Sequence, residues 1–381
     1  MQAQAVRWED LSEDKRLMTL NLGPQHPSTH GVLRVLLQLD GETIRNCEAV
    51  IGYLHRCHEK IYESLTYPQC IPFMDRADYL GPIMEEVLFA EAVEMMMGLE
   101  VPERGRYLRV IFMELQRILS HQVWFGTFAM DMGAMTAFLY SFRDREMGYD
   151  LFDEATGARL LPHYIRLGGV RNDVGDDWLK KLEQYLDYVE KSAWPEYNNL
   201  VMKNLIFKKR TQHVAVITKE EAIALGASGP VLRGSGVKFD LRKSYAKHIP
   251  GNLYDQFDFD IPVGTNGDAY DRGVVRLQEM LESVKIIRQA LAKMPEGKVM
   301  AKTPRAFRPP KGEIYHRIES PRGEMGIHLV SDGSANPYRA KLRSSGFVHL
   351  QLMPIMNRNM KVADVVASIG SIDLDLGEVD R

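Results

Sequence analysis

Apolar residues near the start of the chain recur with a period of two. Residues 17–22 read as a strand, and 32–39 and 42–50 alternate or run apolar on either side of Asp40-Gly41. An Asp-Gly pair between two such runs predicts a β-hairpin, because both residues tolerate the positive φ of a tight primed turn. The period then lengthens. Residues 55–65 carry helical spacing and stop before Pro68. From 78 to 97, apolar residues occupy most faces of a predicted helix that ends at Gly98, a residue suited to a left-handed C-terminal cap. The pattern repeats over 108–130, with Ile111, Leu115, Ile118, Leu119 and Val123 on one stripe. Gly133 breaks it before 135–147. A further long helix is expected over 178–203, with a kink or boundary near Pro195. Helices that are apolar nearly all round are buried ones, so the middle of the chain reads as a bundle inside a large assembly.

The last third is mixed. Thr218-Lys219-Glu220-Glu221 is a capping box that opens a short helix ending at Gly226. A Gly-rich stretch over 226–236 and a Tyr/Asp-rich segment to 271 follow. Val274, Leu277, Leu281, Val284, Ile287 and Leu291 then mark an amphipathic helix. Residues 304–310 read as a linker or extended loop, 313–320 and 325–331 as a hairpin around Pro321-Arg322-Gly323, and 362–369 as a short helix. The expected fold class is α+β. A β-rich unit over 1–70 leads into a helical bundle over 71–215 and a mixed α/β portion with small hairpins over 216–381.

Composition narrows the function. A chain of 381 residues is long for one core. With 48 basic and 51 acidic residues the net charge is -3, which gives no general electrostatic reason to bind nucleic acid. No run reaches the roughly 18 uninterrupted apolar residues of a membrane span. The first 16 residues are too acidic for a transit peptide and lack the apolar core of a signal peptide, so an intracellular protein is expected. Cys47, Cys57 and Cys70 are three in number and scattered. That argues against a disulfide framework, and an ordinary iron–sulfur cluster takes four cysteines. His55, Cys57 and His58 could hold a metal in principle, but Arg56 between them favours a surface or packing role.

Candidate chemistry sits in loops and helix ends. In Gly23-Pro24-Gln25-His26-Pro27-Ser28-Thr29-His30-Gly31 two histidines lie four apart. The prolines and glycines there preclude a regular helix, so His26 and His30 are not a pair of metal ligands on one helical face. Arg233-Gly234-Ser235-Gly236 lacks both the third glycine of a dinucleotide fingerprint and the Gly-Lys-Ser/Thr of a P-loop, which makes a structural turn the better reading. Asp75-Arg76-Ala77-Asp78-Tyr79 sets a phenol beside two carboxylates and an arginine at a predicted helix start, with Asp78 able to act as N-cap and Tyr79 alone reading as a packing residue. Asp131 stands between Met130 and Met132 and needs a partner if buried, either a histidine or the helix end near Gly133.

Several blocks together carry a resemblance. GPQHPSTHGVLR at 23–34, IGYLHR at 51–56, DRADY at 75–79, DMGAMT at 131–136, LRGSGVKFDLRK at 232–243, YDRG at 270–273, LVSDGSANPYRAK at 329–341 and GEVDR at 377–381 resemble the D-type subunit of proton-pumping NADH:quinone oxidoreductase, respiratory complex I. The match runs in order from about residue 20. The resemblance implies a fold like the large subunit of nickel–iron hydrogenases, here without the two Cys-x-x-Cys pairs that hold the hydrogenase metal. It implies a peripheral subunit on the cytoplasmic face of the bacterial inner membrane, beside the B-, C- and I-type subunits of the peripheral arm and the H- and A-type subunits of the membrane arm. The chain itself would bind no redox cofactor and no metal. Its substrate would be a quinone, and the terminal iron–sulfur cluster would belong to the neighbouring B-type subunit.

Carried over by motif, the resemblance makes Tyr79 and His30 the headgroup ligands and Asp131 the carboxylate partner of His30. Asp373 would lie in the same chamber, Arg56 toward the cluster, and His26 would shape the loop. Tyr79 and a protonated His30 suit the reaction, because each can donate a hydrogen bond to a quinone oxygen that gains negative charge as electrons arrive, and then a proton. Two positions depart from the family pattern. Cys57 stands where glycine is usual, and Asp375 where an apolar residue is common, so Asp375 either alters the chamber or points to solvent. A scaffold whose neighbour does the chemistry would tolerate Tyr79→Phe and His30→Ala. A hydrogenase-like enzyme would carry stoichiometric nickel.

Overall fold

The structure is a computed structural model that describes residues 7–12, 15–26, 29 and 31–381. Strands β1 (Arg7–Ser12), β2 (Lys15–Leu22), β3 (Arg34–Asp40) and β4 (Thr43–Val50) form an antiparallel sheet in sequence order. The Asp-Gly hairpin forms as its residues require, with Asp40 paired to Thr43 and Gly41 at φ 61°. Alternation in β3 buries Val35, Leu37 and Leu39. Strand β1 has no counterpart among the expected elements.

The helical expectations hold with shifted limits. The helix expected over 55–65 is one turn, His58–Tyr62, and Pro68 does not end a helix but opens the next, Tyr67–Met74. Proline is favourable there because the first helical N–H has no intrahelical acceptor. The long helices are Pro82–Met97, Glu103–Asp131, Met135–Thr156 and Ala269–Lys293. The run beginning at Asp176–Tyr188 passes through π-helical segments Val189–Ala193 and Asn198–Met202 on either side of Pro195. The Gly-rich stretch folds into a short helix, Gly229–Gly234. Strands β5 (Ile165–Arg166) and β6 (Gly169–Val170) pair as a short ladder. A three-stranded sheet comprises β7 (Gly312–Glu319), β8 (Glu324–Ser331) and β9 (Arg339–Arg343).

Two hydrophobic cores result. The larger joins the long helices to Ile318, Ile327 and Leu342 of the C-terminal sheet. The smaller packs the β3–β4 hairpin against residues such as Val231, Leu352, Ile369 and Ile372. Met132, just past the end of Glu103–Asp131, touches both.

Inside the larger body lies a matched ionic network. Arg242 pairs with Asp240 at 2.7 Å and Glu114 at 3.0 Å, and Arg233 with Glu279 at 2.8 Å and Glu319 at 2.7 Å. Tyr254 and Ser283 donate to Glu114 at 2.7 and 2.6 Å, and His121 contacts Glu279 at 3.0 Å. Burial alone would raise Glu114 and Glu279, but the facing arginines prevail and hold both at about 2. Glu319, which shares Arg233, is the member held above its ordinary value by burial.

Candidate functional site

The segment 75–81 folds as a turn around Asp78. Its Oδ1 accepts from the backbone N–H groups of Leu80 at 3.0 Å and Gly81 at 2.9 Å. The expectation that Asp78 caps a helix is therefore corrected: the helix starts at Pro82 with Gly81 as N-cap, and Asp78 closes the turn before it. Glycine is required at 81, since a Cβ there would sit 2.6 Å from Asp78 Oδ2. That second oxygen accepts from Arg322 Nη1 at 2.7 Å, and both side chains are fully buried. Arg322 comes from the β7–β8 turn. With Asp78 held inward, Tyr79 is left 43% exposed above the ion pair.

The C-terminal segment completes the place. The helix Val365–Ile372 lies hard against Glu103–Asp131, because Gly370 has no side chain: a Cβ would meet Phe128 at 2.7 Å and Asp131 Oδ2 at 3.5 Å. Trp124 Nε1 donates to the Gly370 carbonyl at 2.7 Å and fixes the crossing. The chain then turns left-handed at Asp373, φ 55°, and Asp375 caps the short helix Leu376–Asp380 by accepting from Gly377 N–H at 2.7 Å. Glu378 Oε1 accepts from Gly346 N–H at 2.8 Å and Ser345 Oγ at 3.1 Å. The Asp380 carboxylate accepts from Gly52 and Leu54 N–H groups at 2.8 and 2.6 Å, tying the end of this segment to the loop before Arg56.

Charge in this region is unmatched. Asp373 lies 3.7 Å from Arg322 and 3.8 Å from Arg276, and Asp78 already occupies Arg322. Glu85, Asp375 and Glu378 are all buried, and each has one carboxyl oxygen without a hydrogen-bond partner. Burial, reinforced by the Asp78 charge, drives Glu85 and Asp375 well above the ordinary carboxylate range and Glu378 up to about 7. Tyr79 is pushed up to about 12, first by Asp375 and then by burial. Its hydroxyl, protonated at neutral pH like any phenol, can act as a hydrogen-bond donor.

Of the expected site residues, Tyr79 and Asp373 fall on the same acid–arginine cluster. Asp131 lies beside Gly370, three residues before Asp373, and burial raises it to about 6. His30 lies outside the described residues, as does its expected pairing with Asp131. The His26 carbonyl is the hub of its loop, accepting from Thr29 N–H at 3.1 Å and Thr29 Oγ1 at 3.0 Å. Arg56 is exposed and donates to the Arg76 carbonyl at 2.7 Å, while its backbone N–H donates to the Arg381 carbonyl at 2.9 Å. Cys57 adopts φ 58°, so the turn keeps the left-handed geometry that glycine takes freely, and a thiol-bearing residue bears the strain. Asp375 does not point to solvent. Glu85, Glu378 and Arg322 were not singled out in the sequence. The signal for Glu85 was present: a carboxylate on a helix apolar on most faces needs the same explanation as Asp131.

Among the described residues, one group could meet a cation or share a proton: Asp75, Glu86 and His163, whose ligand atoms lie within 4.8 Å of one another. His163 Nδ1 is 3.1 Å from Asp75 Oδ2. Among the described residues the cysteines form no metal-binding group: Cys70 belongs to the larger core, Cys47 to the smaller, and Cys57 is exposed. His58 is buried against Phe73 at 4.4 Å, away from a metal role with His55. A cavity of about 420 Å³, lined by Met95, Leu99, Arg106, Tyr245 and Arg317 among others, is lined by none of the site residues.

A long-helix bundle joined to small antiparallel sheets is an α+β architecture of the hydrogenase large-subunit type. The model of the respiratory-chain NADH dehydrogenase 49 kDa subunit family matches residues 131–309 and 303–381. The second NADH-quinone oxidoreductase D-type subunit of Symbiobacterium thermophilum is 52% identical over 380 residues, covering 96% of this chain and 98% of the relative. The corresponding subunits of Bacillus cereus and Bacillus anthracis are each 50% identical over 364 residues, covering 95% of this chain and 98% of each relative. The chain belongs to the D-type (49 kDa) subunit family of NADH-quinone oxidoreductase, complex I. No helix among the described residues is long and apolar enough to cross a membrane.

Proposed function

We propose that this protein forms the quinone headgroup site of complex I together with the B-type subunit, and protonates the quinone as electrons reach it from the iron–sulfur cluster of that neighbour. The observation that carries the reading is the exposed Tyr79 phenol, next in sequence to the buried Asp78–Arg322 ion pair, on which Asp373 also converges. Reduction of a quinone to a quinol takes two electrons and two protons. The electrons come from outside this chain. Tyr79 donates a hydrogen bond to one quinone oxygen and His30 to the other, and both bonds strengthen as those oxygens become negative. Each donor then transfers its proton. Asp131 stabilises the His30 imidazolium before transfer and is left as an uncompensated charge after it. Its value of about 6 lets it exchange a proton near neutrality. That change of charge biases a rearrangement coupled to proton translocation in the membrane arm. Asp373 holds Arg276 and Arg322 in place under the chamber, and Arg56 faces the cluster side. The protein sits on the cytoplasmic face of the membrane, against the B-, C- and I-type subunits and the H- and A-type membrane subunits, with no redox cofactor or metal of its own.

The test is Tyr79→Phe in the assembled complex. Quinone turnover should fall by roughly 100-fold, the scale of a lost proton donor, while NADH oxidation by a water-soluble acceptor upstream of the quinone is retained. Normal quinone turnover in this variant and in His30→Ala would reduce the protein to a scaffold. Asp131→Asn with unaltered pumping stoichiometry and unaltered quinone reduction would remove the coupling step.

A further inference from the structure

Outside the acid–arginine cluster, three side chains from three separate elements converge. Asp75 caps the C-terminal end of the helix Tyr67–Met74, Glu86 lies on the helix Pro82–Met97, and His163 on the segment between Met135–Thr156 and β5. Their ligand atoms lie within 4.8 Å of one another, and His163 Nδ1 is 3.1 Å from Asp75 Oδ2. Asp75 and Glu86 are fully buried. Both Asp75 oxygens, Glu86 Oε1 and His163 Nδ1 lack a hydrogen-bond partner, so the His163–Asp75 approach is close without the alignment of a hydrogen bond. Among the described residues, no lysine or arginine forms an ion pair with either acid. Three elements thus aim unpaired donor atoms at one point.

Two buried, unpaired carboxyls are a costly arrangement. Two occupants could relieve it. One is a proton shared between the acids, since burial raises both. The other is a cation, and the donor set selects its kind. Mg2+ and Ca2+ take about six or more ligands, nearly all oxygen. Two carboxylates and an imidazole, with room for a water, suit Zn2+ instead. Tetrahedral zinc with bonds of about 2.0–2.1 Å sets neighbouring ligand atoms roughly 3.3 Å apart. The His163–Asp75 separation of 3.1 Å is close to that, and the others, up to 4.8 Å, shorten on ligation. The Ile165 N–H donates to Glu86 Oε2 at 2.6 Å and orients that carboxylate from behind, as outer donors do at metal sites. The His163 side chain stays 26% exposed, which opens the place to solvent. Arg76, Arg166 and Arg171 face His163 and oppose a cation, but each is at least partly exposed and screened by solvent.

We propose that Asp75, Glu86 and His163 form an exchangeable binding site for a divalent transition-metal cation of the zinc type, with water as the fourth ligand. The ion is taken from solution. It is neither a resident cofactor nor part of the electron path. Bound there, it ties the start of the turn 75–81 to the helix Pro82–Met97 and to the segment that leads into β5. The same turn carries Asp78 and the exposed Tyr79, so a cation gains a hold on the element that presents the phenol. Binding at these three residues is independent of what Tyr79 does.

Calorimetric titration of the full chain with Zn2+, after stripping by a chelator, tests the site. The chain carries Cys57→Ser throughout, because the exposed Cys57 Sγ lies 3.8 Å from His55 Nε2 and could take zinc itself. One equivalent should bind and raise the melting temperature. The zinc X-ray absorption spectrum should show nitrogen and oxygen ligands with one imidazole and no sulfur. Added His163→Ala should weaken binding by more than about 100-fold, since loss of an outer-shell partner alone costs roughly 10–100-fold. His163 is partly exposed, so this variant should fold. Glu86→Gln keeps an oxygen for the Ile165 N–H, and is titrated as the second variant with the same expected loss. Mg2+ should not displace the zinc. A chain that binds no zinc holds a shared proton at this place instead, which overturns the proposal. Zinc binding that survives both His163→Ala and Glu86→Gln, or a spectrum with sulfur at the metal, overturns it as well.

Discussion

Two buried ionic regions of this protein are built from the same residue types and behave oppositely. Around Arg233 and Arg242, Glu114, Asp240 and Glu279 each meet a guanidinium within 3.0 Å, and the carboxylates stay ionised far below their ordinary range. Around Asp78, two arginines face five carboxyl groups, and Glu85, Asp375 and Glu378 are driven toward protonation. The difference is one of cation count, since all of these groups are buried: Arg117, Arg233 and Arg242 face four carboxyl groups in the first region, of which only Glu319 is raised, against two arginines for five in the second. A matched network fixes a conformation. An unmatched one stores protons, and it is the unmatched one that lies under an exposed tyrosine.

Unmatching the matched network breaks this contrast most severely. Arg233→Met leaves Glu279 and Glu319 without their shared cation, and should cost about 3–5 kcal/mol. The measurable outcome is loss of the protein from the complex under mild chaotrope. Next in size is the pH response of Glu378. Its carboxyl is raised from 4.5 to about 7 in the folded chain, so the folded state holds a proton that the unfolded chain releases. Stability attributable to it is present below about 4.5 and is lost as pH rises through about 7, by at most about 3 kcal/mol. Glu378→Gln should flatten that slope in chaotrope titrations at several pH values. Glu114 has the opposite sign: its stabilisation is present above 4.5 and disappears as pH falls toward about 2.

Smaller effects sharpen the contrast. Glu85→Gln replaces a proton-bearing acid by an amide of equal shape, and should change stability by less than about 1 kcal/mol. The same change at Glu279 should cost about 3 kcal/mol, because it strips a buried arginine of its partner. Side-by-side chaotrope midpoints of the two variants decide whether matching is the operative distinction. Comparable to the Glu85 change is Asp131→Asn. Its carboxyl is only partly buried and raised to about 6, so at pH 8 the amide should stabilise by about 1 kcal/mol after solvent screening.

The elements were legible where a single pattern dictated them. The Asp40-Gly41 hairpin, the helix ending at Gly98 and the β7–β8 hairpin all follow from local chemistry. The 55–74 region was not, because Pro68 read as a helix breaker although it lies at a helix start, where proline is tolerated. In the site, Tyr79 stood out by its neighbours in sequence. Its true surroundings did not, since Arg322, Asp375 and Glu378 arrive from segments some 240 to 300 residues away, and no spacing rule connects them. Arg322 reads as a turn residue until the β7–β8 turn is seen to aim it at Asp78.

The contacts of Asp380 with Gly52 and Leu54 carry a consequence for biogenesis. A ribosome delivers the loop at 52–56 and the tyrosine turn early, and residues 373–380 roughly 300 positions later. Until then Asp78, Glu85 and the hairpin core have no lid, and the pocket stands open to water. The later-made stretch seals the earlier-made one. The site around Asp78 is therefore complete only after a segment some 300 residues downstream has folded back onto it, so its closure is a late, long-range event in folding.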